Sequence, residues 1–281
     1  MATGFEPVSI AMAAVLTFVQ ALLVNDMVNS NKVLPKKNYL AGAVFIIFSS
    51  FFKENLLLSP ALISLTFIIL ATSKIFSLIK KEKSYADVFD VGFLIAIAAL
   101  FYFPCVLLLV FAYIGLATVR SFNYREWTIV LLGFLSPFII AFTFYYWNNQ
   151  GDLFFTHVAN IQPTGWLLRT PLELVDKIMI GALVLCTGAC LVFLPASLYS
   201  SLIQVRKFAN ILVVLMLFVL AALLLQQTMR LNHLVLLALP LGVIAAIVFA
   251  QIKNKVVAEV IHLILILLVL AGQFLPMLNI I

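Results

Sequence analysis

Residues Ser84–Trp127 read SYADVFDVGFLIAIAALFYFPCVLLLVFAYIGLATVRSFNYREW. A charged lead-in is followed by 13 apolar residues, Val91–Phe103, and then by Pro104. A second apolar run, Cys105–Val119, ends in Arg120, Arg125 and Glu126. A membrane-spanning helix needs about 20 residues at 1.5 Å of rise each. The stretch is too long for one crossing and barely long enough for two. It predicts a tight helical hairpin over 85–119 that enters and leaves on one side, with its turn at Phe101–Pro104.

Working outward, the chain has 281 residues, 65% of them hydrophobic and 10% charged, with a mean hydropathy of +1.19. Soluble domains carry about 25% charged residues. So much apolar surface cannot be hidden in one core of this size, and lipid must be the solvent. The fold class that follows is all-α and polytopic, a single transmembrane domain over 1–281 with about ten spans. Their expected edges are Val8–Val24, Tyr39–Phe52, Leu58–Ile79, Tyr85–Phe103, Pro104–Val119, Trp127–Trp147, Ile178–Val205, Phe208–Gln226, Leu231–Ala250 and Val256–Leu275.

The net charge of +6 sits in short loops. Thirteen Lys and Arg residues fall in one set of loops: Lys32, Lys36, Lys37, Lys74, Lys80, Lys81, Lys83, Arg120, Arg125, Arg206, Lys207, Lys253 and Lys255. Only Lys53, Arg169, Lys177 and Arg230 fall in the other. The positive-inside rule makes the first set cytoplasmic. Alternation closes only if 85–119 crosses twice, and both termini then lie outside. The first span carries no basic lead of the kind a signal peptide has, so either a further helix upstream of it or late insertion of Val8–Val24 is expected. No basic, aromatic-interleaved patch points to nucleic acid.

Several spans open with capping chemistry. Ser59-Pro60 sets a hydroxyl before a first-turn proline. Ser84 with Asp87, Asn123 with Glu126, and Thr170 with Glu173 each place an acid three residues after a cap, where it answers free N–H groups. Cys105, Cys186 and Cys190 lie inside apolar runs and read as packing residues. Lys74, near a span end, is placed to snorkel. Glu259 and His262 are spaced to pair on the last span. Pro195 falls inside a span and is placed to kink it.

Signatures of soluble enzymes are missing: no GxxxxGK[ST], GxGxxG, HExxH, CxxC or GxSxG occurs. Neither a cofactor nor a metal is expected. Polar chemistry concentrates instead on the less basic face. Lys53 and Glu54 sit at a short outer turn, and Arg230 opens a later span. An outer loop over 148–177 carries Asp152, His157 and Arg169. Long loops of mixed chemistry are where function concentrates. Together these six residues form a candidate outer surface, with Lys and Arg to bind lipid phosphate and an acid to act as base.

The segments NYLAGAVFIIFSSFFKENLLLSPALI, FDVGFLIAIAALFYFPCVLLLVF, RSFNYREWTIVLLGFLSPFI and HLVLLALPLGVIAA resemble an uncharacterised family of multi-span inner-membrane proteins from flavobacteria and their relatives. The resemblance runs from Leu22 to Phe274, and the Phe101–Pro104 turn and the Arg120–Trp127 run carry it most specifically. It implies a bacterial inner-membrane, multi-pass protein and names no reaction. The order of small-residue span, Pro break at the outer face, apolar span and basic exit is also similar to the multi-span (C-type) glycosyltransferases that use polyprenyl-linked sugars. Those enzymes carry an acid in their first outer loop. The nearest acid here, Asp26, falls on the cytoplasmic side. Three functional expectations follow. One is a glycosyltransferase-like scaffold that binds or processes lipid-linked envelope precursors. The second is a non-enzymatic subunit or assembly factor that meets a membrane-protein partner through Gly181, Thr187, Gly188 and Ala189. The third is a small-molecule transporter.

Overall fold

The computed structural model describes residues 6–34, 37–79, 84–120, 122–159, 174–199, 201–225, 230–252 and 254–274. Every regular element among them is helical. In chain order the α-helices are α1 (Glu6–Ser30), α2 (Leu40–Ser49), α3 (Pro60–Ser77), α4 (Tyr85–Phe101), α5 (Leu108–Val119), α6 (Tyr124–Trp147), α7 (Gly151–Ala159), α8 (Leu174–Leu198), α9 (Ile203–Leu224), α10 (Ala238–Ala250) and α11 (Lys255–Phe274). Short 3-10 turns cover Lys53–Leu56, Phe103–Leu107 and Leu231–Leu237.

Among the described residues, seven segments are long and apolar enough to cross a membrane: α1, α3, α6, α8, α9, α11, and α10 with the turn before it. Each of the ten expected spans holds a helix, but three fall short of that length. Helix α2 has 10 residues, α4 has 17, and Phe103–Val119 is a 3-10 turn followed by a 12-residue helix. Breaks at Ser50, Tyr102 and Pro104 are the local reason. Tyr102 takes an extended backbone and ends α4, and Pro104 has no N–H with which to continue a helix. The loop expected over 148–177 contains α7, whose Phe154 and Phe155 rings pack edge-on against Phe142 of α6.

The chain divides into two compact units. One comprises Met1–Leu62, Thr170–Leu212 and Arg230–Ile281. Its centre is α10, whose sequence ALPLGVIAAIVFA offers no polar face and is buried from Ala238 to Ile247. Helix α2 lies between α1 and α10. A Cβ on Gly42 would stand 2.9 Å from the Ala21 carbonyl oxygen of α1, and one on Gly242 would stand 3.0 Å from Phe45 Cα of α2. Side chains tie the end of α2 to α11 and the start of α3 to α1 as well. Gln273 of α11 donates to the Ser50 carbonyl at 2.8 Å, and Gln20 of α1 donates to the Leu62 carbonyl at 2.7 Å.

The other unit comprises Ile63–Arg169 and Val213–Met229. Helices α4 and α6 pack on each other most extensively. Pro137 lies inside α6 and cannot donate to the Gly133 carbonyl. The Ser136 hydroxyl donates to that carbonyl instead, at 2.9 Å, and the helix continues. The start of α4 and the end of α5 both meet the end of α3. Lys74 bonds Asp87 and Asp90, and Arg120 donates to the Leu78 carbonyl. The segment 85–119 therefore leaves and returns to one end of α3, as its hairpin reading expects.

Candidate functional site

Two polar constellations stand out, one in each unit. The first closes the shared end of α3, α4, α5 and α6. Lys74 Nζ lies 3.0 Å from Asp87 Oδ1 and 2.8 Å from Asp90 Oδ2. Arg120 lies 2.7 Å from Glu126 Oε1 and donates to the Leu78 carbonyl at 3.3 Å. Asp87 and Glu126 are buried, so their charges depend on these partners. Arg125 stacks over the Tyr85 ring at 5.0 Å, a cation–π contact. The capping expectations hold in part. Asn123 accepts from the Arg125 amide, and Ser59 accepts from the Leu62 amide at 3.2 Å. Ser84 makes no side-chain cap and donates to the Asp87 carboxylate. Glu126 pairs with Arg120 beside its position in the first turn of α6. Lys74, whose side chain is 38% exposed, is an ion-pair centre. Every group here ties helix ends together, and the constellation reads as structural.

The second constellation is a pocket of about 600 Å³ lined by Lys53, Glu54, Leu57, Leu58, Ser59, Pro60, Asp176, Arg230, Leu231 and Asn232. Three elements build it. The 3-10 turn Lys53–Leu56 forms because Phe52 and Leu57 are extended on either side and leave one tight turn between α2 and α3. This turn packs on the 3-10 turn Leu231–Leu237. Arg230 stands just ahead of that second turn, extended, with its amide 3.4 Å from His233 Nδ1. Asp176 comes from the first turn of α8. The rim therefore carries two cations, two carboxylates and a carboxamide. The apolar share of the wall comes from Leu57, Leu58, Pro60 and Leu231. Asn232 Oδ1 is buried without a hydrogen-bond partner.

Of the six residues singled out in the sequence, Lys53, Glu54 and Arg230 come together in this pocket. Asp152 belongs to the other unit, exposed on the first turn of α7. His157 is on α7, but its side chain lies outside the described residues, as does the whole of Arg169. Asp176 and Asn232 were missed. Asp176 looks like a first-turn acid of α8, and Asn232 like a spacer between Arg230 and His233. Neither has a local pattern that marks it, because they share the pocket's lining only through the fold. Among the described residues, no group of three or more His, Cys, Asp or Glu could hold a metal ion.

A polar pocket on an apolar, multi-helix frame narrows the class but not the lineage. The family model for DUF6427, a family of unknown function, matches residues 4–280. The chain belongs to the DUF6427 family. No curated protein matches it, and no solved structure does. The family covers nearly the whole chain, so both constellations fall within it and neither is an appended module.

Proposed function

We propose that this DUF6427 protein crosses a bacterial inner membrane and binds the phosphate of a lipid-linked envelope precursor in the Lys53–Arg230 pocket. In this reading α2, α4 and the 103–119 segment are short crossings that bring the total to ten. The basic loops are cytoplasmic and the pocket faces outward. The observation that carries the reading is the convergence of Lys53, Glu54, Asp176 and Arg230, from three separate parts of the chain, around one cavity. Guanidinium and ammonium groups recognise phosphate as a planar fork and a point charge respectively. The apolar wall suits the first isoprene or acyl units beside a phosphate.

A glycosyltransferase-like step uses the same groups. The acceptor oxygen attacks the sugar carbon attached to the lipid phosphate. The carbon–oxygen bond to that phosphate breaks, and its electron pair leaves on the phosphate oxygen. Lys53 and Arg230 offset the developing charge, and Glu54 or Asp176 takes the acceptor proton.

Native mass spectrometry of the purified chain with added polyprenyl phosphate tests the binding. A 1:1 adduct is expected that weakens about tenfold in the Lys53→Ala/Arg230→Ala variant, the loss that follows removal of charged hydrogen bonds. The matched polyprenol, without phosphate, should not compete. Equal adducts in both proteins would end this reading.

A second reading, a subunit of a membrane complex, has one observation in its favour. Gly181 and Gly188 lie two turns apart on α8, and a Cβ at either would meet open space. Small residues at such spacing let a partner helix approach closely. A stoichiometric protein partner in the same spectra, with no phosphate-bearing lipid, would favour it.

A further inference from the structure

Four segments long and apolar enough to cross a membrane, α1, α8, α9 and α10, have their ends around one cavity. It holds about 370 Å³ and lies just past the end of α1, at the start of α9 and against the end of α10. Its polar lining is Lys32, Ser201 and Gln251, and Leu34, Leu202 and Ile247 are among its apolar walls. A place just past the ends of such helices is headgroup depth in any membrane that they cross.

The backbone at Lys32 fixes where its ammonium starts from. Its φ is 53°, in the left-handed region that favours glycine. The Val33 amide donates to the Val28 carbonyl at 3.0 Å, and the Lys32 amide to the Asn29 carbonyl at 3.2 Å. These two bonds are the closing pattern of a helix whose next residue is commonly glycine. Lysine there carries strain that glycine would avoid, and what it adds is a cation on the cavity wall. Arg206, on the first turn of α9, is committed elsewhere: it donates to the Leu198 and Tyr199 carbonyls at 3.1 and 2.8 Å. The Ser201 hydroxyl donates to the Ser197 carbonyl at 3.1 Å, so Lys32 and Gln251 supply the cavity's donors. Among the described residues no carboxylate lines it. An ammonium and a carboxamide without an acid beside them suit an oxyanion.

Gln251 also lines a second, larger groove of about 550 Å³. Helices α10 and α11, though consecutive, each pack on α8. The wedge between them is walled by Phe193 and Ala196 of α8, Val248 of α10 and Ile261 of α11, and no charged residue among those described lines it. One cavity therefore suits a charged head, and its neighbour an aliphatic chain.

We propose that these adjoining cavities bind an acidic phospholipid. Its phosphate meets Lys32 and Gln251, and an acyl chain lies in the groove between α8, α10 and α11. The proposal rests on these helices crossing a membrane and not on the reading of the Lys53–Arg230 pocket.

Native mass spectrometry of the full chain in an uncharged detergent tests it, with phosphatidylglycerol and phosphatidylcholine of matched chains. Both lipids carry a phosphate, and only the first is a net anion. A 1:1 phosphatidylglycerol adduct is expected, about tenfold stronger than that of phosphatidylcholine. Lys32→Gly, which suits the left-handed backbone, should erase that preference, whereas Lys32→Arg should keep it. Lys32→Asn serves if Lys32→Gly does not fold, since asparagine also tolerates this backbone. Ala196→Phe, at an exposed position of the groove, should weaken both adducts, and Lys53→Ala/Arg230→Ala should keep the preference. The proposal is overturned if the wild type binds neither lipid or both equally, if Lys32→Gly keeps the preference, or if Ala196→Phe leaves both adducts unchanged. It is also overturned if Lys53→Ala/Arg230→Ala erases the preference, since the adduct would then sit in the charged pocket.

Discussion

Gly92 on α4 and Gly133 on α6 face each other reciprocally. A Cβ on Gly92 would strike the Val130 carbonyl, and one on Gly133 would strike the Phe89 carbonyl. Both obstacles are backbone, so neither can swing aside. The two helices touch main chain to main chain, which lipid-embedded helices use in place of a hydrophobic driving force. Gly92→Ala or Gly133→Ala should each destabilise the protein by about 1–3 kcal/mol, the usual penalty of overpacking. Thermal unfolding in detergent measures it. Gly181→Ala is the control. Its Cβ enters open space, so it should be neutral or gain up to about 1 kcal/mol of helix propensity.

Arg120 and Glu126 bear on stability in a different way. Their side chains are 14% and 9% exposed and 2.7 Å apart. Removing one partner strands the other charge, so Arg120→Met or Glu126→Leu alone should cost about 3–5 kcal/mol. The double variant should recover most of that loss. A double-mutant cycle on denaturation midpoints decides, and additive losses would contradict the pairing.

Lys74 serves two acids of unequal burial. Asp87 is buried, while the Asp90 side chain is 41% exposed. Asp87→Asn should therefore lower the unfolding temperature more than Asp90→Asn. The reverse order would show that the exposed pair holds α3 to α4.

Ser136 stands in for the amide that Pro137 lacks. Ser136→Ala leaves the Gly133 carbonyl without its donor and should cost about 1 kcal/mol. Ser136→Ala combined with Pro137→Ala restores an amide donor at 137 and should regain it. The four unfolding curves form the measurement.

Glu54 separates binding from transfer in the charged pocket. Glu54→Gln keeps shape and removes the base. In the glycosyltransferase-like reading it should leave the polyprenyl-phosphate adduct intact while a Glu54→Gln/Asp176→Asn gene fails to complement a deletion. Full complementation would confine the pocket to binding.

The legible part of the chain was what depends on neighbours in sequence. Composition and run length alone pointed to a helical chain with segments apolar enough to cross a membrane. The Phe101–Pro104 interruption located the hairpin turn, because a proline and an extended tyrosine act within a few residues. Capping at Ser59 and Asn123 was legible for the same reason. Helix length was less so. Apolar residues continue past a helix end without altering hydropathy, so ten apolar runs became seven helices of full spanning length and three shorter pieces. The sites divided along the same line. Lys53, Glu54 and Arg230 were noticed as charges where charge is costly. Asp176 became their neighbour only because α8 packs on α10, and Lys53–Leu56 on the Leu231–Leu237 turn ahead of it. Asp87 and Glu126 looked like local caps until Lys74 and Arg120 reached them from other helices.

By itself, then, the sequence determined the helical class, the apolar runs and the break at Phe101–Pro104, since hydropathy and backbone chemistry are local properties. Only the tertiary structure decided which charges share a pocket and which pair to hold helix ends. Those outcomes depend on contacts between residues far apart in the chain, and no short-range pattern encodes where such residues meet.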